Sequence, residues 1–404
     1  MDTFNIAPNS MVLTKHASVY VILKITERCN LACPYCYVFF SDDKTFEIHP
    51  ATILDDTVDG LIVFLHEAIR NSGIRHVHIG LHGGEPLLLK KPAFRKMCTR
   101  LRTALDPVCA LQLSIQTNGV LIDPEWVDVF AAHGVNVGIS FDGTEEIHNR
   151  TRVTKKGRGT YAESRRGWNM IVEAHQAGRI GRPGILCVVA PEQSGRAIYE
   201  HFVNELRARH MNFLWPNIHH GAPEATEAFI DGCGDFMVDV CRAWFAAGKK
   251  GVEVRFLKEI IGPLLDDEVC RELPSNRNNP FELITVSSNG EISPDDVIRT
   301  LAPRFRETGY RVGGSTLNEL ARSNTWMEVS RAQQILPEPC QSCLWRNICR
   351  SGSPQHRYST ERGFDNPSVY CKSLKRVFSY VADNLIRGGV PIEAIERRLA
   401  ATFA

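Results

Sequence analysis

"CNLACPYCY", residues 29–37, decides how the rest of this 404-residue chain is read. Three cysteines at C-x3-C-x2-C spacing begin just past a β-branched run, "VYVILKI" (19–25). Three thiolates can hold three irons of a [4Fe–4S] cube and leave the fourth open to a small ligand. Zinc asks for four ligands, or three plus a catalytic water, and no His or C-x2-C partner lies near enough in sequence to supply them. Spacing alone tilts toward iron–sulfur. Position has to decide the rest.

Outward from that motif, short β-branched runs alternate with helical patterns. Strands are predicted at 19–25, 76–82, 111–116, 135–141, 184–190 and 212–218, with helical spacing between them at 93–105 and 125–134. Strand–helix alternation with short connections means βα units around a parallel sheet. Six units fit an α/β fold of partial (β/α)6 TIM type better than a full eight-stranded barrel. From about residue 224 the pattern changes to a long helix. A hairpin follows, "ITVSSNGEISPDD", whose Asn289-Gly290 suits a type I′ turn. The expected division is an N-terminal extension (1–17), the partial barrel (18–223), bridging helices and hairpin (224–330), and a cysteine-bearing region with C-terminal helices (331–404).

Composition bounds the partners. Lys and Arg number 47 against 46 Asp and Glu, so no electrostatic case arises for nucleic acid. The N-terminus lacks the basic start and apolar core of a signal peptide. No apolar run approaches the ~18 residues of a membrane span, so a cytoplasmic protein with no membrane partner is expected. Thirteen cysteines, an odd number, argue against a disulfide framework. Cys98, Cys109, Cys187, Cys233, Cys241 and Cys270 stand singly and read mostly as small buried hydrophobes. The others cluster: Cys29, Cys33 and Cys36 early, Cys340, Cys343, Cys349 and Cys371 late.

Three further motifs sit where strands end. "GGEP" (83–86) follows the second predicted strand, "TNG" (117–119) the third, and "SFDG" (140–143) closes the fourth. In a parallel barrel these ends share one rim, where loops build the active site. Gly83 and Gly84 allow close backbone approach to a ligand. Glu85 suits an ammonium group; Asn118, Ser140 and Asp142 offer hydrogen bonds, and Arg152 could clamp a carboxylate. Each is an ordinary loop feature by itself. Four in register beside C-x3-C-x2-C make a site for an amino-acid-like zwitterion next to an open iron.

"CNLACPYCY…LHGGEP…QTNG…SFDG…HNRTR" resembles the radical S-adenosylmethionine (SAM) superfamily, in its peptide-maturing branch with a C-terminal SPASM region. That resemblance runs from about 18 to 373. It implies that Cys29, Cys33 and Cys36 ligate a [4Fe–4S] cluster whose fourth iron is chelated by SAM. It implies also that Gly83, Gly84, Glu85 and Pro86 hold the methionyl amino group, that Ser140 and Arg152 contact SAM's polar parts, and that the backbone near Tyr35 and Val188 lies against adenine. An electron from the cluster then cleaves SAM to a 5′-deoxyadenosyl radical, which takes a hydrogen from substrate, so a reductant such as flavodoxin or ferredoxin is implied. SPASM relatives usually hold two auxiliary clusters. Here Cys340, Cys343, Cys349 and Cys371 match one complete thiolate set, for which structural zinc is the alternative. The other set is missing, with Asp295 and Ser353 at its cysteine positions. One auxiliary [4Fe–4S] cluster is therefore expected, and Asp295 could accept a proton in the freed space.

The tail "HRYSTERGFDNPSVYC" (356–371) is similar to the Fxs/Xye/Grr-type maturases, which form three-residue cyclophanes. The resemblance implies a ribosomal precursor peptide as substrate and an aromatic-ring-to-Cβ cross-link as product. Trp215, His219 and His220, after the sixth strand, could touch that peptide. Thioether formation, epimerisation, oxygen insertion and formylglycine formation are the alternatives on the same scaffold. Loss of the inner cluster set weighs against the sulfatase-maturing and thioether readings. A non-catalytic iron–sulfur or zinc protein is the rival from another class.

Overall fold

The computed structural model describes residues 18–248, 251–269 and 283–401. The N-terminal extension and Cys270 lie outside them. Six parallel strands appear in chain order: β1 Ser18–Thr26, β2 His76–Gly83, β3 Ala110–Thr117, β4 Val135–Ser140, β5 Gly184–Val188 and β6 His210–Leu214. Each pairs with the next in parallel register. Two-residue β7 (Glu253–Val254) extends the β6 side. On the other side β8 (Leu283–Val286) lies parallel to β1, and β9 (Ile292–Ser293) returns antiparallel. The result is the partial barrel, a nine-stranded sheet in the order 7-6-5-4-3-2-1-8-9.

The two faces of β1 show why the sheet closes around a polar interior. Val19, Val21, Leu23 and Ile25 are all at most 1% exposed and face the helical layer. Such burial is worth about 1.5–3 kcal/mol per side chain. Tyr20, Ile22 and Lys24 alternate with them by the two-residue period of a strand and point inward. The outer face therefore holds the strand, which leaves the inner face free to carry chemistry. Covering helices include Asp55–Ser72, Lys91–Leu105, Pro124–His133, Tyr161–Gln176 and Gly195–Asn204. The third of these starts on Asp123, whose side chain accepts from the Trp126 N–H, with Pro124 in the first turn, and ends on Gly134 at φ 58°.

At the end of β1 the register with β2 slips between Lys24 and Thr26. An extra residue there bends the strand and re-aims the cysteine loop that grows from its end.

The hairpin forms, with a different turn. Asn289 is not in the left-handed region that type I′ needs; only Gly290 is, at φ 90°. Gly290 N–H donates to Ser287 O and Ser287 N–H to Glu291 O, so a longer loop ends on a left-handed glycine. Its first strand has joined the barrel sheet beside β1. Helix Glu227–Ala246 packs on the C-terminal helix Cys371–Arg387, and Ser373 Oγ donates to Ile230 O across that contact. Among the described residues no helix is long and apolar enough to cross a membrane.

Candidate active site

A cavity of about 1060 Å³ runs through the barrel interior. Its lining reaches from strand starts (Tyr20, His78, Asn136, His210) to strand ends, and a far wall comes from Ile348, Cys349, Ser353, His356 and Tyr370. Cys29, Cys33 and Cys36 line it together with Tyr35, Gly83, Gly84, Glu85, Asn118, Ser140, Arg152 and Val188. Residues from five strand ends are thus brought to one space. Pro86 and Asp142 stand behind that lining: Pro86 opens a one-turn helix, Pro86–Leu88, and Asp142 is 2% exposed.

Burial disfavours the thiolate form of all three thiols. Burial raises Cys29 to about 12, and burial, partly offset by Arg152, raises Cys33 to about 11; Cys36 is raised by burial as well. Such thiols keep their protons until a metal displaces them, because iron binds the thiolate. Three thiols on one cavity wall, beside a buried guanidinium that offsets negative charge, fit a cluster held by three cysteines.

The glycines serve packing. A Cβ on Gly83 would sit 2.1 Å from Thr26 O, and one on Gly84 2.3 Å from Arg28 O. Gly84 N–H donates to Thr26 O and Glu85 N–H to Arg28 O, so this loop is pressed onto the cysteine loop. The space beside these α-carbons is filled by protein backbone rather than by ligand. Glu85 departs from the sequence expectation in the same way. It is 1% exposed, and its carboxylate accepts from Leu87 N–H (3.0 Å), Thr117 Oγ1 (2.6 Å) and Asn118 N–H (2.8 Å). An ammonium would compete with three protein donors there. Burial still wins over those donors and raises its carboxyl.

Arg152 does clamp a carboxylate, but a protein one. Its Nε donates to Asp142 Oδ1 at 2.9 Å, while Asp142 Oδ2 accepts from Tyr35 and Thr151 hydroxyls, both at 2.6 Å. Burial alone would raise Asp142; Arg152, Thr151 and Tyr35 outweigh it and hold the carboxyl below its usual range. The guanidinium carbon lies 5.8 Å from the Tyr35 ring centre. Asn118 lends Nδ2 to Asn30 Oδ1 (2.8 Å), and Ser140 Oγ accepts from Gln116 (2.8 Å).

Cys340, Cys343, Cys349 and Cys371 line one small hollow with Trp345, Arg346 and Lys375. Four thiols from three chain segments, with cations beside them, fit a second anionic cluster. Cys349 also lines the large cavity, so the two spaces share a wall. Cys98, Cys187, Cys233 and Cys241 are fully buried.

Asp295 is no solvated turn residue. It lines the cavity, Oδ1 accepts from Val297 N–H (2.6 Å) and Ile298 N–H (3.3 Å), and burial with the neighbouring Asp296 raises its carboxyl. Ser353 lines the same cavity. Trp215 does too, packed on Tyr370 with ring centres 4.8 Å apart. His219 and His220 do not reach it. Past β6 the chain crosses to the C-terminal region, and His220 N–H donates to Tyr358 O while its ring meets Pro367 O at 2.8 Å; His219 packs edge-on against Tyr358. Sequence reading missed Tyr37, His82 and Asp296. The Tyr37 hydroxyl donates to Asp296 Oδ2, and His82 Nδ1 is 3.5 Å from the same oxygen.

A family model described as the radical SAM superfamily matches residues 23–189, the stretch that holds the cysteine loop and the GGEP, TNG and SFDG motifs. That stretch has the radical SAM fold. The cofactors of such a domain are a [4Fe–4S] cluster and SAM, and when bound they supply a carbon radical able to take a hydrogen atom from an unactivated C–H bond. Over 345 residues the chain is 28% identical to a serine-type anaerobic sulfatase-maturating enzyme of Klebsiella aerogenes, covering 83% of this chain and 80% of that one. A cysteine-type enzyme of Clostridium perfringens is 24% identical over 369 residues, 89% of this chain and 94% of its own length. Among solved structures, native anSMEcpe with bound AdoMet superimposes with a TM-score of 0.76 at 22% identity, over 92% of this chain and 100% of that one. The fold shared with that structure thus extends well beyond the segment that the family model matches. The relatives carry the sulfatase-maturing name, the reading that the missing inner cysteines weighed against.

Proposed function

We propose that this protein is a radical SAM maturase that removes a Cβ hydrogen from a side chain of a peptide or protein and oxidises that carbon to the aldehyde of formylglycine. Cys29, Cys33 and Cys36 would hold the SAM-binding cluster, with Tyr35, Ser140, Arg152 and Val188 around SAM. Cys340, Cys343, Cys349 and Cys371 would hold one auxiliary [4Fe–4S] cluster. The observation that carries the reading is the cavity touched by both cysteine sets, Cys29, Cys33 and Cys36 on one side and Cys349 on the other. Oxidation of Cβ releases an electron after the hydrogen atom, and a redox centre at the same cavity gives it somewhere to go. Two relatives spanning four-fifths or more of the chain bear the name of this activity. A flavodoxin or ferredoxin would reduce the first cluster, and a cytoplasmic setting would keep both reduced.

One observation favours a second product. Asp295 and Ser353, at the positions of the missing inner set, both line the cavity. Space that a second auxiliary cluster would fill is left for substrate, as an aromatic-ring-to-Cβ cross-link in a ribosomal precursor peptide would need. Both products begin with loss of the same Cβ hydrogen.

The test uses the anaerobically reconstituted protein with SAM, dithionite and a sulfatase-derived peptide bearing Ser or Cys. Formylglycine is expected, as an aldehyde trapped by a hydrazine reagent. Loss of two hydrogens from a peptide with no aldehyde, and fragmentation blocked across three residues, would select the cross-link instead. No 5′-deoxyadenosine with any peptide would return the protein to a non-catalytic iron–sulfur role.

A further inference from the structure

We infer that the Ser351 backbone N–H is a hydrogen-bond donor to the auxiliary cluster, at the Cys349 sulfur, and that it raises the potential at which that cluster takes an electron. The inference rests on the auxiliary-cluster reading above and applies to either product. In both, the substrate carbon left by hydrogen-atom loss gives up one more electron. That carbon is oxidised, the cluster is reduced by one electron, and the proton lost with it goes to a base on the cavity wall. What the protein contributes at the cluster is the poise that makes it an acceptor.

The backbone after Cys349 is unusual. Among the described residues three that are not glycine have positive φ, and two of them are neighbours here: Arg350 at 47° and Ser351 at 65°, followed by Gly352 at 78°. L residues visit the left-handed region singly, not in runs. Such a run persists only where its surroundings over-determine it. Arg350 N–H donates to Arg346 O at 3.0 Å and Gly352 N–H to Cys349 O at 2.8 Å, while the Ser351 hydroxyl donates to Arg350 O. A Cβ on Gly352 would lie 3.0 Å from Ser368 Cβ, three residues before Cys371. The turn is thus wedged between Cys349 and the loop that brings the fourth thiol.

One N–H of the turn is left over. Ser351 is 3% exposed and lines the hollow with Cys340, Cys343, Cys349 and Cys371, yet its N–H has no acceptor among the described residues. Buried N–H groups in that state are rare. Cys349 ends the helical turn Arg346–Cys349, and Arg350 follows left-handed. A right-handed residue followed by a left-handed one turns successive N–H groups into one anion-binding concavity, as at many iron–sulfur sites. Spacing points the same way. Leu31, two residues after Cys29, donates its N–H to Cys29 Sγ at 3.4 Å, and Ser351 stands two residues after Cys349. Arg346 and Lys375 line the same hollow. Hydrogen bonds to sulfur and nearby positive charge favour the more negative, reduced cluster, which raises its potential. The donor is backbone, so no residue type in the sequence marks it.

The test uses the full-length chain carrying Cys29→Ala, Cys33→Ala and Cys36→Ala, so that only the auxiliary cluster loads. About four irons per chain are expected. A folded chain that takes up no iron overturns the auxiliary-cluster reading itself, and the donor with it. In that background the α-hydroxy acid of serine is incorporated at position 351, which turns the amide into an ester and deletes the N–H. The midpoint, read by redox titration of the reduced cluster's EPR signal, should fall. At a fixed potential the reduced fraction should drop about tenfold, the worth of one hydrogen bond to a charged group, which for one electron is about 59 mV. Ser351→Ala keeps the N–H and should keep the parent's midpoint, which a merely structural role for the turn would not separate from the ester. An ester variant with the same midpoint as Ser351→Ala overturns the inference. Should the ester variant fail to load, ENDOR of the parent in H2O and D2O decides: an exchangeable proton strongly coupled to the reduced cluster supports the donor, and its absence overturns it.

Discussion

Glu85 and Asn118 are joined by a 2.8 Å hydrogen bond from the Asn118 backbone N–H to Glu85 Oε2, which locks the loop after β2 to the loop after β3. The same carboxylate takes the Thr117 hydroxyl and the Leu87 N–H. Glu85→Ala strands three buried donors, at about 1–3 kcal/mol each. The thermal midpoint should drop sharply even without SAM. Glu85→Gln keeps one acceptor oxygen but turns an amide N–H toward a donor, and should fall between the two. A Glu85→Ala midpoint equal to wild type would show that the carboxylate serves only the ligand.

Arg152 and Asp142 are a buried pair, and breaking one side costs more than removing both. Arg152→Met should destabilise by about 3–5 kcal/mol, since Asp142 is left charged and uncompensated. The double variant Asp142→Asn/Arg152→Met should recover part of that loss in a double-mutant cycle read by denaturant melts. Equal losses in both would mean the pair carries no coupling.

The late cysteines make a metal-content prediction. Cys340→Ala, Cys349→Ala or Cys371→Ala should each lower reconstituted iron by about four atoms per chain, a cluster's worth. Absorption from the first cluster should persist. Unchanged iron with lost zinc would assign that hollow to zinc.

His49 predicts a pH dependence of stability. Its Nδ1 lies 3.6 Å from Glu27 and its Nε2 3.2 Å from Glu291, joining the end of β1 to the hairpin. Burial opposes the imidazolium, but the two neighbouring carboxylates outweigh it and raise the pKa above 6.5. A raised histidine contributes fully below its unfolded pKa, and that share is lost as pH rises through the folded one. Glu27 and Glu291 are lowered, so their share is present above 4.5 and lost as pH falls through their folded values. Thermal midpoints should therefore be best between about 4.5 and 6.5 for this contact and decline above. His49→Gln should flatten the upper limb; an unchanged slope would place the titration elsewhere.

What the sequence made legible was what repeats locally. Strand positions came within a few residues because β1 to β6 are short β-branched runs between helical ones. Strand ends carry their motifs to one rim by topology alone. The partners of Glu85 were out of reach because two of the three are backbone N–H groups, which no residue type announces. His219 and His220 were placed on the rim because the chain's exit after Leu214 toward residues 358–367 is a long-range contact. The pairing of β8 with β1 and the Arg299–Asp43 ion pair at 2.9 Å were out of reach for the same reason. The turn at Asn289-Gly290 failed on one dihedral angle.

The cysteine loop grows out of β1, an internal strand hydrogen-bonded on one side to β2 and on the other to β8. The amides of β1 should therefore be among the slowest in the molecule to exchange with solvent. Stripping the iron from Cys29, Cys33 and Cys36 should leave their scaffold standing. Refilling it becomes a matter of delivering metal and sulfide to a finished protein rather than of folding the protein around them.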